Sequence, residues 1–183
     1  AMRDQGLVNQ VFDELRLRAL QGDMAVGHVR YSTTGASWWE NSQPVWRADK
    51  REVALGHNGN LVNAVELHTE LRERGVTFRS TSDSEIITAL LSTHEAPTIE
   101  DAVEDVLPRL EAAFSTVVMT ADRMVAFRDP AGLRPLALGM LGDRYCVASE
   151  SCAFDIIGAR YLREVQPGEL LSPTERGIET RQV

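Results

Sequence analysis

Glu52-Val53-Ala54-Leu55-Gly56-His57-Asn58-Gly59-Asn60-Leu61 is the stretch on which the fold turns. Its apolar first half reads as a buried strand from Glu52 to His57, stopped by Asn58-Gly59, a strong short-range turn pair. Asn60 can then cap a helix running to about Arg74. Leu61, Ala64, Val65, His68 and Leu71 share one face of it at helical spacing, and Gly75 is a natural stop. His68 on that stripe reads as a packed helix residue rather than a ligand.

Upstream, Met24-Ala25-Val26-Gly27-His28-Val29 is a second short apolar run closing on polar residues, as a buried strand would. Thr33 to Arg47 is rich in Gly, Ser, Asn, Pro and Trp and reads as a loop. Downstream, Ser82-Asp83-Ser84-Glu85 has the form of a capping box ahead of Ile86, Ile87, Leu90 and Leu91. Thr98 caps a further helix through Ala102, Val103, Val106, Leu107 and Leu110. The period then changes from helix to strand. Ser115–Met119 and Met124–Phe127 flank an Ala121-Asp122-Arg123 turn, and strands are expected over Leu136–Met140, Tyr145–Ala148, Tyr161–Val165 and Glu169–Leu171. Pro167-Gly168 is the turn before the last of them. Strands, a block of helices, then many strands predict an α+β domain, antiparallel sheet packed on helices, rather than a doubly wound one.

The 183 residues suffice for one large domain with a substantial core. A formal charge of −8 argues against a nucleic-acid partner, which would want a basic face. No run approaches the roughly 18 apolar residues of a membrane span, so no membrane association is expected. Cys146 and Cys152 read as two reduced, mostly buried thiols of a cytoplasmic protein, without the spacing of a metal pair. There is no phosphate-binding glycine loop.

Three polar runs fall where elements should end: His28-Val29-Arg30-Tyr31-Ser32-Thr33, His57-Asn58-Gly59-Asn60 and Ser80-Thr81-Ser82-Asp83. They supply what a free amino acid with a reactive side-chain amide requires. Arg30 offers a planar fork of donors for an α-carboxylate. Asp83, in the first turn of a helix, offers a fixed carboxylate for an α-ammonium. Asn58 and the N–H of Gly59 can face a developing oxyanion, with no Cβ at position 59 to hold the substrate off. Each has a plain structural reading too: a surface ion pair for Arg30, a turn for Asn58-Gly59, turn residues for Thr33 and Thr34, and a helix-dipole partner for Asp83.

Taken in order, His28-Val29-Arg30-Tyr31-Ser32-Thr33-Thr34-Gly35, Asn41-Ser42-Gln43-Pro44, His57-Asn58-Gly59-Asn60-Leu61-Val62-Asn63, Thr81-Ser82-Asp83-Ser84-Glu85, Arg128-Asp129-Pro130-Ala131-Gly132-Leu133-Arg134-Pro135-Leu136 and Ala148-Ser149-Glu150 carry a specific resemblance. From about Gly6 onward the sequence resembles the glutaminase domain of the amidophosphoribosyltransferases. These are class II glutamine amidotransferases of the N-terminal-nucleophile hydrolase fold. The resemblance implies a layered α/β/β/α domain. It assigns the glutamine α-carboxylate to Arg30 with Thr33 lining the pocket, the oxyanion hole to Asn58 and Gly59, and the α-amino group to Asp83. It gives the Arg128–Pro135 run a bracing role between sheets.

In that family the nucleophile is a cysteine at the mature N-terminus, its own α-amine serving as base. Ammonia released from L-glutamine passes to phosphoribosyl pyrophosphate, in the first step of purine biosynthesis. No cysteine of this sequence matches that position. Ala1-Met2-Arg3-Asp4 opens without strand or cap, and Gly177–Val183 reads as a strand still running. The expectation is therefore a partial amidotransferase domain over 1–183, lacking its first segment and the phosphoribosyltransferase domain, and inactive as it stands. No cofactor is expected in this chain. Magnesium is expected in the intact enzyme, an iron–sulfur cluster is an option there, and assembly into a homo-oligomer is anticipated. The alternatives are another class II amidotransferase, acting on a sugar phosphate or aspartate, and a degenerate glutamine-binding module.

Overall fold

The computed structural model describes residues 1–30, 38–174 and 176–183. Its centre is an antiparallel sheet built from β1 (Val45–Ala48), β2 (Glu52–Leu61), β3 (Ala112–Met119), β4 (Met124–Arg128), β8 (Glu169–Thr174) and β9 (Gly177–Gln182), in that spatial order. A smaller antiparallel sheet has β5 (Ala137–Leu141) between β6 (Arg144–Ala148) and β7 (Arg160–Glu164).

Alternation along the strands decides what each face of the large sheet covers. Val53, Leu55 and Leu61 of β2, Phe114 and Val118 of β3, Val125 and Phe127 of β4 and Leu170 of β8 point one way. They form one core with α3 (Ala64–Glu73), α4 (Asp83–Ser92) and α5 (Ile99–Val106). The intervening residues Val117, Ala126 and Leu171 point the other way, onto Leu136, Leu138 and Val165 of the small sheet and its flanks. The outer face of the small sheet is covered by α6 (Cys152–Ile157), whose buried Phe154 ring lies over Gly139; a Cβ there would stand 2.9 Å from the ring. Helices, sheet, sheet and helix make the expected α/β/β/α layers. Full burial of side chains such as Phe114 and Phe127 contributes about 1.5–3 kcal/mol apiece.

The helix ends follow local chemistry. Gly75, at φ +85°, closes α3: its N–H reaches Arg72 O and that of Val76 reaches Leu71 O, a Schellman pair. Ser82 accepts from Ser84 N at the start of α4, and Thr98 accepts from Asp101 N at the start of α5. The Ser82 capping box is incomplete, because Glu85 turns to the backbone N–H groups of Arg79 and Ser80 instead. His68 stacks on Phe78, with ring centroids 4.3 Å apart, as a packed helix residue.

Several expectations are corrected. Asn58-Gly59 is not a turn: β2 runs on to Leu61, since Asn58–Leu61 pair with Ala112–Ser115 and the ladder overrides the local preference. The helix therefore starts later, after Asn63, which leaves Val65 exposed. The Asn63 side chain binds Arg109 O and Glu111 N rather than the helix. Met24–Val29 forms no strand. Val26 packs on the face of the sheet over Gly56, its Cγ1 3.3 Å from where a Cβ there would sit, and a segment on a face cannot join the ladder at an edge. The run read as loop, Thr33 to Arg47, holds the first three residues of β1, and α6 was not expected. Cys152 is exposed and Cys146 half-buried, so the thiols are less enclosed than expected. The short helices α1 (Val8–Val11) and α2 (Glu14–Arg18) were likewise not anticipated.

Candidate functional site

The far end of β2, beyond the reach of β1, carries the site. In an antiparallel strand the N–H and C=O of one residue point to the same side, and the side alternates along the chain. Phe114, opposite Gly59, sends its N–H and C=O to Asp129, so the Gly59 peptide groups face away from β3. His57 shows the same parity: its N–H donates to Gln43 Oε1 at 2.6 Å and its C=O accepts from Gln43 Nε2 at 3.2 Å. Leu61 shows it again, its N–H donating to Asp83 Oδ2 at 2.9 Å. No described residue pairs with the Gly59 N–H, which is presented at the β2 edge between two positions filled by side chains.

Gly is required at 59 by space rather than by φ. A Cβ would meet Ala113 O at 2.5 Å, Phe114 Cβ at 2.6 Å and His57 Nε2 at 2.8 Å. Asn58 points to the other face, with Ser115 opposite it; the buried Ser115 Oγ has no hydrogen-bond partner among the described residues.

Asp83 opens α4, where the carboxylate also complements the helix dipole. With Oδ2 engaged by Leu61, Oδ1 stands 3.8 Å from His57 Nδ1. That ring is only 3% exposed, and Nδ1 lies 3.2 Å from Ser84 Oγ. Burial lowers the His57 pKa and outweighs the opposing pull of Asp83, so the contact is one of a neutral imidazole, not an ion pair. Arg30, half-buried, lines a cleft of about 290 Å³ with His28, Ser42 and Gln43. His28 is pushed down to about 4, chiefly by burial and then by the nearby His57 and Arg30. Gln43 therefore joins the Arg30 cleft to the β2 edge. Thr33 lies outside the described residues.

Further contacts fix the loops around this edge. Buried Asn41 accepts from Thr81 N at 3.1 Å, and buried Glu85 holds Arg47 at 3.1 Å together with the Arg79–Ser80 backbone. The Arg128 guanidinium donates to Arg134 O, Val165 O and Gly132 O, joining β4 to the segment after β7. Among the described residues, no group of three or more His, Cys, Asp or Glu could hold a metal ion. No helix is long and apolar enough to cross a membrane among those residues. Sequence reasoning gave no individual role to Gln43 or His57. The only signal was their presence in the Asn41–Pro44 and His57–Asn63 runs.

The α/β/β/α layering defines the class as an N-terminal-nucleophile hydrolase type of domain. Residues 28–155 match the family described as glutamine amidotransferase domain, and the chain belongs to that family. It is 43% identical to the amidophosphoribosyltransferase of Bacillus subtilis over 98% of this chain and 38% of that protein. It is 48% identical to that of Mycobacterium bovis over 96% of this chain and 35% of the relative. The solved glutamine phosphoribosylpyrophosphate amidotransferase from B. subtilis, complexed with ADP and GMP, superimposes with a TM-score of 0.89 at 42% identity. That match covers 97% of this chain and 39% of the other. The chain thus spans less than two-fifths of the length of these relatives.

Proposed function

We propose that this chain is the glutamine-handling domain of an amidophosphoribosyltransferase. The observation that carries the reading is the Gly59 N–H at the open edge of β2, between Gln43 and Asp83, beside the Arg30 cleft. The Arg30 fork takes the glutamine α-carboxylate, with Thr33 alongside. Asp83 Oδ1 takes the α-ammonium; a carboxylate has about four acceptor sites, so the bond to Leu61 leaves room. The side-chain carbonyl then lies towards the Gly59 N–H and the Asn58 amide, which stabilise the oxyanion as a thiolate adds to the carbon; one such donor is worth about 10²–10³ in rate. The thiol's proton is taken up by the α-amine of the N-terminal cysteine that carries it in this family, and goes to the departing nitrogen. The adduct thus collapses to ammonia and a thioester, which water hydrolyses to glutamate and the free thiol.

Transfer of the ammonia to phosphoribosyl pyrophosphate, with its magnesium, is assigned to segments of the longer relatives beyond this match. Cytoplasmic location, homo-oligomeric assembly and the lack of nucleic-acid or membrane partners belong to the same reading. The test is an assay of the full-length protein with L-glutamine and candidate acceptors. Glutamine-dependent formation of phosphoribosylamine supports the reading. Transfer only to another sugar phosphate or to aspartate overturns it.

A further inference from the structure

The last residue pair between β1 and β2 is Val45 with Leu55, and Trp46 pairs with Ala54. Continued by the same antiparallel register, the ladder would next bring the backbone of residue 43 opposite His57. The chain does not do this; β1 begins at Val45. Instead the Gln43 side chain makes both bonds that a partner strand would have made, accepting from His57 N at 2.6 Å and donating to His57 O at 3.2 Å. A carboxamide is chemically a peptide group, so the side chain stands in for the missing strand. Two residues on, the Gly59 N–H emerges on the same edge, and two further on Asp83 holds Leu61. Gln43 also lines the Arg30 cleft.

We infer that Gln43 is a positioning residue for the amidotransferase reaction, fixing the direction of the Gly59 N–H by completing the β2 ladder at His57. This rests on the functional reading above. Gln is the residue that serves both bonds: Glu loses the donor to the carbonyl, Asn is a methylene short, and Met keeps the shape without the polarity. Strand direction set in this way acts on the oxyanion rather than on the amino-acid ends of glutamine. Its loss is therefore read in turnover rather than in affinity.

The experiment compares full-length wild-type, Gln43→Met and Gln43→Glu proteins in glutamine hydrolysis, with amide hydrogen exchange measured on the same proteins. Both variants should lose about 10–100-fold in kcat, as expected for a small misplacement of a reacting geometry, with KM for glutamine within about threefold of wild type. Exchange at the His57 amide should quicken in Gln43→Met, which loses the acceptor for that N–H, while the β3–β4 amides stay protected. Should Gln43→Met not fold, Gln43→Asn gives the same comparison. Folded variants with wild-type kcat, a rise in KM alone, or unchanged His57 exchange in Gln43→Met or Gln43→Asn overturn the proposal and leave the functional reading standing. A wild-type protein that neither binds nor hydrolyses glutamine overturns the functional reading, and the role of Gln43 with it.

Discussion

The Asp83 carboxylate and the backbone N–H of Leu61 meet at 2.9 Å, tying the first turn of α4 to the last residue of β2. One oxygen of Asp83 is therefore structural, and only the other is open to a ligand. Asp83→Asn keeps an acceptor for Leu61 and loses the charge. It should cost stability only about 0.5–1.5 kcal/mol, while weakening glutamine binding about 10–100-fold, as leaving an ammonium without its partner does. Thermal melting and calorimetric titration separate the two. A collapsed melting temperature with unchanged affinity in the folded protein would reduce Asp83 to a helix-start residue.

Gly59→Ala places a methyl against Ala113 O, Phe114 Cβ and His57 Nε2, none of them the end of a flexible side chain. The expected loss is about 1–3 kcal/mol from overpacking. Gly27→Ala, with none of the described residues within 4 Å of its Cβ, serves as the control and should be close to neutral. Urea unfolding of the two variants gives the comparison.

His28 and His57 are both held neutral by burial, His28 down at about 4. The unfolded chain binds a proton on His28 near pH 6.5 and the folded chain only near 4. Stability therefore rises with pH across that window, and is lost as pH falls through it. For this partly exposed ring the contribution is on the order of 2 kcal/mol after discounting for solvent. His28→Gln should reduce the dependence of unfolding free energy on pH between 4 and 6.5, leaving the slope due to His57, whose pKa burial also lowers. An unchanged slope would show that His28 protonates freely in the folded state.

Arg128 gives three donors to the carbonyls of Arg134, Val165 and Gly132, and is 8% exposed. Lys cannot reproduce that fork. Arg128→Lys should lose about 1–3 kcal/mol by leaving buried carbonyls unpaired. Glutamine affinity of the folded protein should not change, because none of the three carbonyls that Arg128 holds belongs to the β2 edge. Denaturation midpoints together with titration check both halves.

The layers were legible because period and composition change together. Continuous apolar runs at Val117–Met119 and Val125–Phe127 mark strands whose two faces are both covered, and Thr98 and Gly75 punctuate helices by chemistry that tertiary contacts did not overrule. Asn58-Gly59 misled for the opposite reason: its turn preference is local, whereas the pairing of Asn58 with Ser115 is long-range and stronger. The Arg30, Asn58, Gly59 and Asp83 set could be picked out by residue type. Gln43 could not, since a Gln in a loop carries no sign that its amide will stand in for a strand fourteen residues away. His57 was hidden likewise: its ring is fixed by Ser84 from another element.

The central claim is that one glutamine molecule sits against Arg30, Gly59 and Asp83 together. Titrating ¹⁵N-labelled protein with L-glutamine tests it most directly, alongside analogues lacking either the α-carboxylate or the α-amino group. Saturable shifts at the Gly59 and Leu61 amides with glutamine, at least tenfold weaker with either analogue, are the predicted result. Shifts that leave Gly59 and Leu61 untouched, or equal affinity for all three compounds, would contradict the account.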